Sequence, residues 1–383
     1  MDFALDDEQR AVLAGLDALL DRVAPGTAER AQAVADADGL DAALAAALDE
    51  AGFCDVALDA GDGDATRGRG PLAAACATEA IAHRAGAVPF AARALVAPAL
   101  LGARASELGG ARVALALLED GGARTAPARY AAHATHALVA CGEPAASGGD
   151  EARLVALVAR GARRAPLRST YPVALAALAF DPALAFDPAL AFDPAPANDE
   201  APASGAPRAS GERLGAGSGA RLRAWWRVAL AAEVAGLARG ALDATVAYLS
   251  RREQFGRPIG SFQAVQHRLA DAAVRVEGTR WLAFEAAWRG APDALAAAAA
   301  GHAARTAELV FRETHQLSGA IGFTREHALH TFTLPLAVLR LELGGAGAHH
   351  RALARARWAS ALAGRPPDAP SGARVSRGRA AGR

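Results

Sequence analysis

Residues 224 to 252 run without a proline and repeat their apolar positions at helical spacing, a segment of roughly 40 Å at 1.5 Å per residue. Two further segments of similar character, 262–290 and 293–318, follow it, divided by the turn residues Gly256-Arg257-Pro258 and by Gly290 and Pro292. Helices this long cannot bury their apolar faces alone. With short connections they fold back on one another, so 221–361 reads as a four-helix bundle. The last 22 residues are rich in Gly, Pro and Arg and read as a disordered tail, 362–383.

The chain ahead of the bundle has two textures. In residues 1–103 the apolar positions Phe3, Leu5, Val12, Leu13, Leu16, Leu19, Leu20 and Val23 mark one amphipathic helix ending at Pro25-Gly26. Further helices fit 39–51 and 72–85, and another is entered through Pro89, so this unit is a helical domain. From 104 to 220 short apolar runs (RVALALLE, HALVAC, RLVALVAR) alternate with Gly, Pro and Ser clusters, the pattern of a small β-domain. Inside it the hexapeptide ALAFDP occurs at 177, 183 and 189. A period of six raises a solenoid. Three copies without flanking relatives fit better a duplicated strand and turn that loops out as a low-complexity insertion over about 177–219.

Composition removes several functions. The 41 basic and 41 acidic residues balance, which argues against bulk attraction to nucleic acid or an anionic membrane. The tail holds five arginines after residue 362 against one aspartate, a modest charge run. All the basic residues are arginine, so lysine chemistry is absent. Cys54, Cys76 and Cys141 lie far apart without metal-ligand spacing and read as buried thiols of a reducing compartment. The acidic start MDFALDDEQR and the lack of long uncharged apolar runs make the cytoplasm the expected location.

Two motifs carry chemistry. RREQFGRPIGSFQAVQHRLAD, 251–271, places an arginine pair at a helix end and opens the next helix near Ser261. Arginine there is either a surface charge facing the helix dipole or a bidentate phosphate ligand. HQLSGAIGFTREHALH, 315–330, is the second.

Together these motifs resemble the signatures of the acyl-CoA dehydrogenase family, and the order of helical domain, β-domain and bundle is similar along nearly the whole chain. The resemblance implies a mainly α fold with a small β-barrel-like middle domain, an FAD cofactor, an acyl-CoA substrate and electrons passed to an electron-transfer flavoprotein. It also implies a homo- or hetero-oligomer, dimer or tetramer. By resemblance Arg252 binds the FAD pyrophosphate of a neighbouring subunit, with Phe255, Phe262 and Gln263 on the adenosine side, while Gln316, Ser318 and Gly319 close over the cofactor. Arg227 falls where the family keeps an arginine near the acyl-CoA site; otherwise it is a solvated or Trp-stacked charge.

The family's chemistry needs a glutamate to take the α-proton, and this chain departs from the pattern at both places that hold one. On the first bundle helix the position is Trp226. In the loop after the second motif it is Leu343, with Glu342 one residue short. Glu342 is therefore the candidate base, or a carboxylate paired with Arg340 or another arginine. Without it, a sister subunit brings the base or the chain is an inactive scaffold. LALLEDGGART, 115–125, loosely resembles the segment that meets the flavin ring, reduced to Thr125, and all five tryptophans lie at 225 or later.

Overall fold

The computed structural model describes residues 5–24, 30, 33, 34, 36–58, 70–118, 125–141, 150–157, 163–166, 175–179 and 211–363. The terminal tail and the second and third ALAFDP copies lie outside them.

Helix α1, Asp7–Val23, begins at a capping box: the Asp6 side chain accepts from the Gln9 backbone (2.7 Å) and Gln9 accepts from the Asp6 backbone (3.2 Å). It buries Leu16, Leu19 and Leu20. Asp41 caps α2, Ala42–Glu50. Helix α3, Gly70–His83, is rich in alanine and buried along almost its full length, because it packs against the bundle. A π turn over Ala92–Val96 leads straight into α4, Ala97–Leu101. Inside that turn Arg93 is buried and donates to the carbonyls of Gly109 (3.2 Å) and Cys54 (3.1 Å) and to Asp55 (2.7 Å), which fixes the turn in place.

The strands form two sheets. In the first the order is β1 (Val113–Leu118), β3 (His136–Cys141), β4 (Glu151–Ala156), β7 (Gly211–Ala216), with β1 and β3 parallel. In the second, β6 (Leu175–Ala179) lies between β2 (Thr125–Arg129) and β5 (Arg163–Pro166), all antiparallel. Contacts between β1 and β2 bring the sheets together. Two of these strands trim the edges of the looped-out insertion expected over about 177–219, whose middle, 180–210, lies outside the described residues. The first ALAFDP copy starts inside β6, and 211–216 is an ordered strand paired with β4. GERLGA has almost no apolar pattern of its own. What holds it is tertiary: Glu212 pairs with Arg104 at 2.7 Å, Arg213 with Glu151 at 2.5 Å, and Leu214 packs on the core.

The bundle consists of α5 (Ser218–Leu249), α6 (Gln263–Trp288), α7 (Asp293–Ser318) and α9 (Gly345–Ala363), with a short fifth helix, α8 (Leu329–Leu339), crossing α5 and α7. The short helix adds to the expected four; Pro335 inside it hides its periodicity. Helix α5 starts six residues earlier than its periodicity shows because a distant group caps it: the Asp150 carboxylate accepts from the Ala220 backbone at 2.9 Å and pairs with Arg223. Close helix packing rests on two glycines of α5. A Cβ on Gly236 would lie 2.2 Å from the Glu79 carbonyl, and one on Gly240 would lie 2.3 Å from the Phe332 ring.

Candidate functional site

Glu233 and Trp226 stand two helical turns apart on one face of α5 and meet the β-domain there. Arg129, the last residue of β2, reaches between them: its Nε donates to Glu342 Oε1 and its Nη2 to Glu233 Oε2 at 2.6 Å. The second Glu342 oxygen accepts from the Trp226 indole at 2.8 Å. The three charged side chains are 18, 13 and 12% exposed for Arg129, Glu233 and Glu342, so their charges interact with little screening by water. Burial works against the Arg129 charge, but the two carboxylates more than offset it, and the guanidinium holds its proton more tightly than a free arginine. Burial pushes the Glu233 carboxyl above the ordinary carboxylate range, against the opposing pull of Arg129. It likewise raises the neighbouring Tyr130 phenol.

Two cavities share this cluster as a wall. The smaller, about 20 Å³, has Pro89, Ala92, Trp226, Ala229 and Glu342 among its lining and has room for about one water. The larger, about 660 Å³, is bounded by α3, α5 and α8 and has Arg129, Tyr130 and Glu233 in its wall. That is ample for a small-molecule ligand. Glu342 lines only the small one. Strain marks the same place: Tyr130 (φ 58°) and Leu343 (φ 51°) are left-handed without being glycine.

Among the predicted residues, Glu342 thus has both oxygens engaged, and its arginine comes from the β-domain, not from Arg340 or elsewhere in the bundle. Leu343 turns into the apolar core. Arg227 lies away from both cavities, among Asp293, Arg223 and Arg355. Its Nε is buried without a hydrogen-bond partner. Beside it His349 is fully buried, and burial together with the Arg227 charge pulls it down to about 4 against the opposing contact with the Glu342 backbone.

The two sequence motifs meet at one end of the bundle, because α5 and α7 end where α6 begins. There Phe255 (φ 56°) is 92% exposed, edge-on to Phe262 at 6.2 Å, with Arg257 stacked 4.0 Å over the Phe262 ring. Arg252, Gln263 and Gln316 are exposed. The Ser318 hydroxyl is buried without a partner, and Gly319 (φ 65°) faces open space. An exposed arginine, an exposed ring and an orphaned hydroxyl suit the phosphate and adenosine half of a dinucleotide. For the flavin ring the fit is poorer, since no tryptophan stands before residue 225. Among the described residues no acidic, His and Cys group has metal-binding geometry, and no helix is long and apolar enough to cross a membrane.

Sequence reasoning overlooked Arg129, Tyr130 and Glu233. Glu233 had a signal: it is the sole carboxylate between Arg213 and Asp243, on the face of α5 that carries Leu230, Leu237 and Gly240.

Residues 222–357 match the family model for the acyl-CoA dehydrogenase C-terminal domain. A probable short/branched chain specific acyl-CoA dehydrogenase of Dictyostelium discoideum is 39% identical over 110 residues, 28% of this chain and 27% of that protein. That match spans only about a quarter of the relative's length. Solved structures extend the likeness. The ChsE4-ChsE5 complex from Mycobacterium tuberculosis has a chain 25% identical, covering 96% of this chain and 100% of that one, with a TM-score of 0.74. A variant of the Tcur3481-Tcur3483 steroid ACAD is 27% identical, covering 92 and 99%, with a TM-score of 0.72. Residues 222–357 thus match the acyl-CoA dehydrogenase C-terminal domain by sequence, and nearly the whole chain shares the fold of these solved structures.

Proposed function

We propose that the chain takes part in FAD-dependent α,β-dehydrogenation of an acyl-CoA thioester. The observation that carries this reading is the 660 Å³ cavity walled by Glu233, Arg129 and Tyr130 in a chain whose bundle has the family's sequence. Arg252, Phe255, Phe262, Gln263, Gln316, Ser318 and Gly319 would hold FAD, the first four on an exposed turn that suits a neighbouring subunit's cofactor. When bound, the flavin supplies a hydride acceptor. The residues of this chain orient the thioester, exclude water and take the α-proton. The size of the cavity and the likeness to a steroid ACAD favour a bulky acyl chain. Arg227, turned away from the cavity, would act on the CoA moiety or on bundle packing.

Each oxygen of Glu342 is already held by a donor, Oε1 by Arg129 and Oε2 by Trp226, which fixes it away from the large cavity. That tie, and the space for about one water beside it, favour a second reading: a heteromer whose sister chain carries the carboxylate, with electron-transfer flavoprotein as the electron acceptor. Purification with and without a co-expressed family member tests both, by flavin absorbance per chain and its bleaching with an acyl-CoA. Flavin that appears and bleaches supports dehydrogenation, and the arm that shows it tells autonomous chain from heteromer. Arg252→Ala should lower flavin retention. Colourless protein in both arms, with FAD supplied, refutes the proposal and leaves a scaffold.

A further inference from the structure

We infer that Glu233 is the proton-accepting carboxylate of this chain, in place of the family positions occupied here by Trp226 and Leu343. The inference rests on the dehydrogenation reading above and adds the residue. Of the two carboxylates on Arg129, Glu342 has both oxygens hydrogen-bonded and faces a space of about 20 Å³. Glu233 spends only Oε2, on Arg129 at 2.6 Å, and lines the cavity of about 660 Å³ as well as the small one. Its second oxygen, Oε1, has no hydrogen-bond partner among the described residues, which leaves it free to take a proton from a ligand in that cavity.

The surroundings suit the task. Val88, Phe90, Leu237 and Leu334 supply apolar wall, and the Arg129 guanidinium fixes the carboxylate's direction while lying close enough to favour charge developing on a thioester oxygen. In the step, the Cα–H bond breaks and its proton passes to Glu233 Oε1. The electron pair forms the enolate double bond and the carbonyl oxygen takes the negative charge. No oxidant enters, so the step is measurable by itself.

The probe is 3-thiaoctanoyl-CoA, whose sulfur at the β-position leaves no hydride to transfer. The full-length protein is incubated with it in D2O, and α-deuterium is read by mass spectrometry. Wild type should exchange the α-proton. Glu233→Gln should slow exchange by at least about a hundredfold while still binding the thioester by calorimetry, and Glu342→Gln should slow it far less. Glu233→Asp, with its carboxylate drawn back by one methylene, should keep a reduced but measurable rate. Exchange retained in Glu233→Gln, a larger loss in Glu342→Gln, or a rate untouched in Glu233→Asp overturns the inference and leaves dehydrogenation standing. Wild type that binds the thioester without exchanging its proton also overturns the inference and leaves the heteromer reading standing; dehydrogenation itself falls only if the protein stays colourless in both co-expression arms.

Discussion

Arg129→Met removes the one cation that separates two buried carboxylates. The methionine keeps most of the aliphatic volume, so the change is chiefly electrostatic. Glu233 and Glu342 are 13 and 12% exposed and would be left without their shared donor. Breaking a buried pair by deleting one partner costs about 3–5 kcal/mol. The loss has a pH signature. Glu233 already has a folded-state value above its unfolded reference of 4.5, and losing Arg129 removes the opposing pull, raising it further. A carboxyl raised on folding leaves stability intact below the unfolded value and costs stability as pH rises through the folded one. The deficit of Arg129→Met relative to wild type should therefore be small near pH 4.5 and grow toward pH 8. Paired urea unfolding curves at pH 5 and 8 measure it, the difference from wild type cancelling the other titrations. A deficit below about 1 kcal/mol, or one that does not change with pH, would refute the view of the cluster as a desolvated network.

Three further outcomes are expected. Gly236→Ala should destabilise by about 1–3 kcal/mol or more in thermal melts, because its Cβ would meet the Glu79 backbone at 2.2 Å, which cannot rotate away. Ser318→Ala should leave stability unchanged within about 0.5 kcal/mol, since the hydroxyl has no partner to lose; a fall in FAD retention in equilibrium dialysis would still be expected. His349, held down at about 4 against 6.5, makes the folded state lose stability as pH falls below about 6.5, the loss complete near 4 and on the order of 3 kcal/mol. Denaturation curves of His349→Gln should lack that component, and an identical acid dependence in the two proteins would count against it.

The long helices were legible because their ends are punctuated locally. The expected 293–318 matches α7, bounded by Pro292 and Gly319. Where a boundary depends on distant chain the sequence is silent: Asp150 starts α5 from across the fold, and Arg104 and Glu151 make a strand of a segment that reads as filler. The same distinction governs the site. The motif residues around Arg252 and Gln316 lie in contiguous runs with recognisable spacing. The Arg129 cluster joins residues 104 and 213 positions apart, and nothing in the local pattern around Arg129 or Glu342 signals the other.

The large cavity is bordered at Gly39, Ala82, Ala85, Gly86, Ala87, Ala91, Gly240, Ala244 and Ala328 by residues with a methyl group or less beyond the backbone. Along these stretches its outline is drawn by the main chain, and no rotamer there can swing aside to admit a larger guest. Selectivity of such a wall is fixed when the helices dock. It is also unusually easy to revise: each alanine changed to valine or leucine would subtract a defined volume from one side, so a new substrate range could arise from single substitutions without moving a helix.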